Sequence, residues 1–206
     1  MRKVMAGAPM EKPFSQSCEN NKVPILEVLR RVFSRSRRVL EIGSGTGQHA
    51  VYFAPRLPHL EWYTSDLAEN LAGIRMWIEE QPSENLFPPT VLDVNASEWP
   101  IEDFDAVFSA NSAHIMYWPD VEAMIRGVAR YLPFRGRFAL YGPFSYHGVH
   151  TSESNVRFDQ SLRARDPGMG IRDLDALEAL ANAGGLVLLE DNEMPANNRT
   201  LVWEKR

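Results

Sequence analysis

Short apolar runs alternate with amphipathic stretches along most of the chain, the rhythm of strands interleaved with helices. The first fourteen residues are irregular and are expected to form a flexible tail, and residues 15–21 read as a short capped turn or helix. Pro24 then suits the first turn of a helix reaching about Phe33, with Ile25, Leu26, Val28, Leu29, Val32 and Phe33 at helical spacing. Val39, Leu40, Glu41 and Ile42 form a first strand. A glycine-rich turn leads into a helix over 48–53, which ends near Pro55 and Pro58, and a second strand over 60–64 runs on to Asp66. A helix over 69–80, strands over 90–94 and 105–109, a helix over 120–132 and a strand over 137–141 continue the pattern. The last of these starts after the breaker Pro133-Phe134-Arg135-Gly136.

Residues 142–172 interrupt the rhythm. They are rich in Gly, Ser, Asn, His and charge, with one helix over 156–165, and are expected to be a substrate-facing insertion. Asp173 is an N-cap for a helix over 174–183, and Gly184-Gly185 stops it. Strands over 186–189 and 200–203 close the chain. The link between them, through Pro195-Ala196-Asn197-Asn198, is too short for the crossover a parallel pair needs, so they form an antiparallel hairpin. Such alternation predicts one α/β domain, a mainly parallel sheet with helices on both faces.

Composition narrows the function classes. A length of 206 residues suits one domain rather than two, and no apolar run approaches the roughly 20 residues of a membrane-spanning helix. The first twelve residues hold no apolar core, so no secretory signal is expected. Cys18 stands alone, which excludes an internal disulfide and fits a reducing compartment, with the cytoplasm as the expected location. A net charge of −5 disfavours a nucleic-acid partner, because that affinity rests on neutralising phosphates. The one basic cluster, Arg30, Arg31, Arg35, Arg37 and Arg38, reads as a solvated helix end.

The candidate chemistry begins at Glu41-Ile42-Gly43-Ser44-Gly45-Thr46-Gly47. Alternating glycines leave no side chain between backbone and ligand, so the chain can turn sharply beneath a nucleoside. Gly45-x-Gly47-x-x-Ala50 formally satisfies the dinucleotide fingerprint. In that fingerprint, however, the first glycine directly follows the strand, which here is Gly43, and counting from there puts the third position on Gln48. Asp66 lies 19 residues beyond Gly47 at the end of the second strand, where a carboxylate can accept from both ribose hydroxyls. Asp93, at the end of the third, is placed for the adenine edge. Either alone also reads as a turn or capping aspartate. Together they point to a nucleoside outside the carboxyl ends of the strands.

The pattern Glu41-x-Gly43-x-Gly45-x-Gly47, followed by one acid after each of the next two strands, resembles the class I S-adenosylmethionine-dependent methyltransferases over residues 39–141. The resemblance implies a Rossmann-like, mainly parallel seven-stranded sheet with an antiparallel last strand, and S-adenosylmethionine as cofactor. It further implies that Gly43, Ser44, Gly45 and Gly47 approach the methionine part and that Asp66, with Leu67 beside it, binds the ribose. Asp93 and Val94 would border the adenine, Asn111 would lie beneath the sulfonium, and Glu41 would hold the loop or the amino-acid end. A narrower resemblance, to the uncharacterised family containing methyltransferase-like protein 26, covers almost the whole chain. It is carried by Gly43-Ser44-Gly45-Thr46-Gly47-Gln48-His49-Ala50, Ser65-Asp66-Leu67, Ala110-Asn111-Ser112-Ala113-His114-Ile115, Leu140-Tyr141-Gly142-Pro143-Phe144 and Met194-Pro195-Ala196-Asn197-Asn198. Two departures from that family's pattern are Asn20-Asn21 before the first long helix and Tyr63-Thr64 before Ser65.

Strand four lacks the Asp/Asn-Pro-Pro-aromatic signature of enzymes that methylate exocyclic amines of bases, so a small-molecule acceptor is expected. His114, three residues beyond Asn111, is the candidate base, or else a histidine that hydrogen-bonds its own loop. Tyr141, Asp159 and Tyr146 are further catalytic candidates. The run from Tyr141 to His147, with Asn155, Arg165, Arg172, Asn197 and Asn198, could line a mixed pocket. An arginine there would suit a carboxylate-bearing acceptor or pair with Asp166 or Asp173. His147 and His150 lack ligand partners at metal spacing, so no metal is expected. The reading is methyl transfer to a small molecule by direct displacement. An NAD(P)-dependent oxidoreductase and a catalytically silent scaffold that keeps the crevice remain the alternatives, and the oligomeric state stays open.

Overall fold

The strands β1 (Arg38–Ile42), β4 (Ala106–Ala110) and β5 (Arg137–Gly142) are buried along nearly their whole length, as parallel strands covered on both faces must be. In the computed structural model, which describes residues 11–206, they form the centre of a seven-stranded sheet. β2 (Glu61–Asp66), β3 (Leu86–Val91), β9 (Leu186–Met194) and β10 (Asn198–Lys205) complete it in the order β3-β2-β1-β4-β5-β10-β9. All pairings are parallel except those of β10, which runs antiparallel to both β5 and β9. Strand order reverses between β1 and β4, and in open α/β sheets that switch point opens a crevice at the carboxyl ends of the strands.

Period-two alternation assigns each side chain to a layer. Val39, Ala106, Phe108, Ala139, Tyr141 and Val202 face the layer of α1 (Gln16–Val32), α2 (Gln48–Phe53) and α3 (Leu71–Glu80). Leu40, Ile42, Val107, Phe138, Leu140 and Leu201 face α4 (Trp118–Tyr131) and α6 (Leu174–Ala183). Truncating a fully buried ring such as Phe108 would cost about 3–5 kcal/mol.

Four departures from the sequence expectation bear on the site. First, α1 is one helix that passes through Pro24: it starts at the cap Ser15, whose Oγ accepts the Cys18 N–H, and the burial of Ile25, Leu26 and Leu29 carries it past the proline. Second, β3 lies earlier than 90–94. Its Pro88 and Pro89 are tolerated because it is an edge strand, and Asp93 therefore sits in the turn beyond it. Third, the insertion carries a small sheet of β6 (Phe144–Tyr146), β7 (Val149–His150) and β8 (Arg172–Asp173), and its helix α5 (Glu153–Arg165) starts at the cap Ser152. Fourth, residues 11–14 are not a loose tail: Trp77 Nε1 donates to the Pro13 carbonyl at 2.7 Å, and the Lys12 ammonium sits 3.8 Å above the Trp77 ring. The rest of that expected tail lies outside the described residues. Among the described residues no helix is long and apolar enough to cross a membrane.

Candidate active site

The chain must turn from β1 into α2 within a few residues, and Gly43, Gly45 and Gly47 do so at φ of +71°, +58° and +89°. Their surroundings differ. A Cβ on Gly47 would stand 3.1 Å from Ile74 Cα, and one on Gly43 3.4 Å from Ser112 Cβ, whereas one on Gly45 meets no protein atom within 4 Å. Gly43 and Gly47 therefore serve close packing, and Gly45 presents bare backbone to the crevice.

Asp66 is tied to this loop. Its Oδ2 accepts the Gly45 N–H at 2.7 Å, while Oδ1 accepts the Leu67 N–H and Asn70 Nδ2, both at 2.7 Å. A carboxylate offers about four acceptor positions, so capacity for a hydroxyl donor remains. Leu67 beside it is 44% exposed, an apolar surface at the strand end. Asp93 is exposed and accepts from the Asn95 backbone and side chain, the geometry of a turn aspartate, and Val94 packs half-buried against the α4 core. Glu41 lies under the loop, where its Oε2 accepts from Ser44 Oγ and Trp62 Nε1, each at 3.0 Å. Burial pushes its carboxyl up to about 7. Of the two roles expected for Glu41, these contacts correspond to holding the loop.

The two residues after Gly47 bring α1 across. Gln48 Oε1 accepts the Ser15 N–H at 2.6 Å, and its Nε2 donates to Glu19 at 2.8 Å. His49 Nε2 meets Asn21 Oδ1 at 2.7 Å, and burial lowers this imidazole to about 4, so it stays neutral and donates. These contacts span about thirty residues of sequence, and local pattern gives no sign of them.

Beyond Asn111 opens a cavity of about 430 Å³ between the first half of α1, the ends of β4 and β5, α5 and the β9–β10 turn. Asn111, at φ +57°, donates its N–H to the Tyr141 carbonyl at 2.9 Å. Tyr141 forms part of the wall. Burial raises its phenol, with the side chains of Asn21 and Asn198 near the hydroxyl. Asn20, Asn155, Phe158 and Asn197 complete the main lining. A larger cavity of about 500 Å³, lined by Arg37, Arg38, Glu61 and Asp105, lies at the amino ends of the strands, the wrong edge for ligand chemistry in such a sheet.

Several expected residues stand elsewhere. His114 lies behind the wall, its ring edge-on to Phe158 at 5.3 Å. Burial first, and then the charges of Arg172 and Arg165, lower it to about 4. Asp159 does not line the cavity: Arg163 Nε donates to it at 2.8 Å and the Ile171 N–H at 2.7 Å, which pins α5 to the following loop. Tyr146 donates to Asp191 at 2.7 Å. The buried Arg172 donates to the carbonyls of Ala113, Met116 and Gly168, so it fastens the insertion to the loop after β4 and pairs with neither Asp166 nor Asp173. Arg165 donates to Met169 Sδ. His147 and His150 face different carboxylates, Asp175 and Asp159.

A family model described as Protein of unknown function (DUF938) matches residues 12–205. The chain belongs to this family. Among solved structures it is similar to an O-methyltransferase family protein from Burkholderia thailandensis, with a TM-score of 0.76 at 15% identity over 89% of this chain and 56% of that one. An O-methyltransferase family 2 protein from Planctomyces limnophilus, in complex with apigenin, gives 0.79 at 14% identity over 92% and 58%. PigF with SAH gives 0.74 at 19% identity over 89% and 61%. This chain therefore spans somewhat more than half the length of these structures. At such identities the likeness is one of fold, the Rossmann-like sheet of these methyltransferases.

Proposed function

We propose that this chain transfers a methyl group from S-adenosylmethionine to a small molecule. The observation that carries the reading is the arrangement at the switch point: bare backbone at Gly45, tied to the Asp66 carboxylate, with the cavity beginning at Asn111 on the far side. Similarity of fold to PigF with SAH and to the apigenin complex supports it.

In this reading Gly43, Ser44, Gly45 and Gly47 form the floor under the methionine part, and Glu41 braces that floor through Ser44. Asp66 accepts from the ribose while holding Gly45. Leu67 covers an adenine face, with Asp93 and Val94 at its border, and Asn111 stands beneath the sulfonium. When bound, the cofactor supplies a methyl carbon activated by positive sulfur, so an acceptor lone pair displaces S-adenosylhomocysteine directly and one proton leaves the acceptor. The protein's task is alignment at about 3–3.5 Å. His114 remains the candidate proton acceptor, but it stands off the cavity wall, so in this reading the proton would have to reach its neutral imidazole past the Phe158 ring. A cytoplasmic location fits a chain with one cysteine.

The test is formation of S-adenosylhomocysteine from S-adenosylmethionine on adding a metabolite extract. Product that depends on both extract and protein supports the reading. Cofactor binding without product from any extract would favour the silent scaffold. His114→Ala with unchanged turnover across pH removes His114 from the mechanism, whereas lost turnover with intact cofactor affinity keeps it there.

A further inference from the structure

The cavity beyond Asn111 has an unusual chemistry. Its lining among the described residues contains no carboxylate, ammonium, guanidinium or imidazole, and carboxamides dominate its polar surface: Asn20, Asn21, Asn111, Asn155, Asn197 and Asn198. The charged groups around it are engaged with the chain itself, Arg172 on three carbonyls, Asp159 on Arg163 and Ile171, and Arg199 on Asp191. A charged acceptor would lose hydration there and find no opposite charge.

Asn155 gives the cavity a direction. This residue is 4% exposed, and its Nδ2 donates to Thr151 Oγ1 at 2.9 Å and to the Asn197 carbonyl at 3.1 Å. A backbone carbonyl only accepts, so the amide cannot be turned the other way, and both amide hydrogens are used. The side-chain oxygen is left as the group Asn155 offers, and it can only accept. Phe158, 40% exposed on the same wall, adds a ring face.

We infer that the acceptor is an uncharged, ring-bearing small molecule that presents an N–H or O–H to Asn155 Oδ1. This rests on the methyl-transfer reading and adds the substrate class to it. It replaces the expectation that Arg165 or Arg172 receives a carboxylate, and Asn155 becomes a specificity residue.

The experiment uses the full chain with methyl-labelled S-adenosylmethionine and a metabolite extract divided by ion exchange into neutral, anionic and cationic fractions. S-adenosylhomocysteine binding is measured in parallel by calorimetry. The expected result is label in a neutral fraction at least about tenfold above the charged ones, in products that absorb as aromatic rings. Label mainly in a charged fraction overturns the inference and leaves methyl transfer standing. Binding of S-adenosylhomocysteine with label in no fraction overturns it in favour of a silent binder, and absence of binding removes both readings together. For the purified acceptor, Asn155→Ala should raise KM about tenfold with kcat and cofactor affinity within about twofold. An unmoved KM in a folded variant would overturn the role of Asn155. If that variant does not fold, Phe158→Ser at an exposed position tests the ring contact, with the same rise in KM expected and an unmoved KM counting against it.

Discussion

Adding one methyl group at Gly45 and at Gly47 should have different consequences, although both glycines lie in the same loop at positive φ. Holding alanine in that region costs about 1–2 kcal/mol at either position. At Gly47 the new Cβ also stands 3.1 Å from Ile74 Cα and 3.3 Å from its carbonyl oxygen, and such overpacking adds about 1–3 kcal/mol. Gly47→Ala should therefore destabilise by about 2–5 kcal/mol, which for a chain of this size lowers Tm by about 4–20 °C. At Gly45 the Cβ meets no protein atom, so only the strain applies and Tm should fall by about 2–8 °C. That methyl group enters the space the cofactor is proposed to cross, and S-adenosylhomocysteine affinity should drop at least about tenfold, about 1.4 kcal/mol. Scanning calorimetry and isothermal titration on the two variants separate these effects. Gly45→Ala with wild-type affinity would refute the placement of the ligand over Gly45.

Asp66→Ala leaves the Gly45 and Leu67 N–H groups without their carboxylate, so it should cost about 3 kcal/mol by urea denaturation and abolish measurable cofactor binding. Arg172→Met strips the donor from three carbonyls and should cost about 3 kcal/mol, yet leave the proposed preference for neutral over anionic acceptors unchanged. Glu41, raised from 4.5 to about 7 by burial, binds its proton more tightly when folded, so its contribution is full below the unfolded value and is lost as pH rises through about 7. His49 and His114, lowered from 6.5 to about 4, act in the opposite sense: their contribution is present above 6.5 and is lost as pH falls through about 4. In Glu41→Gln only the histidine effect remains, so stability measured from pH 7 down to 4.5 should fall more steeply than in the wild type.

Elements closed by local chemistry were legible in the sequence. α2 and α6 run over the residues their periodicity indicates, the latter because Asp173 caps its start and Gly184 its end. The central strands declared themselves through largely apolar runs, interrupted by Glu41 in β1 and Ser109 in β4, since both of their faces are covered. β3 did not, because an edge strand tolerates Pro88 and Pro89, which elsewhere argue against a strand. The polar half of β9 was likewise hidden: it pairs with β10 at the opposite edge, where apolar side chains are not required. Within the site, the glycine loop was visible because positive φ demands glycine. The wall of the cavity was visible in part: Tyr141, Pro143, Asn155, Asn197 and Asn198 line it as expected, whereas Asn20 and Asn21 were hidden, because α1 reaches the site through contacts such as Asn21 to His49, which only the completed fold brings together. Arg172 and Asp159 show the converse, residue types that suit catalysis or recognition and here hold backbone in place.

Isothermal titration of the full chain with S-adenosylhomocysteine and, separately, with NAD addresses the central claim most directly. One saturable site per chain for S-adenosylhomocysteine, no heat from NAD and loss of the signal in Asp66→Ala are the predicted results. Saturable NAD binding with none for S-adenosylhomocysteine would contradict the account and return the glycine loop to the dinucleotide reading.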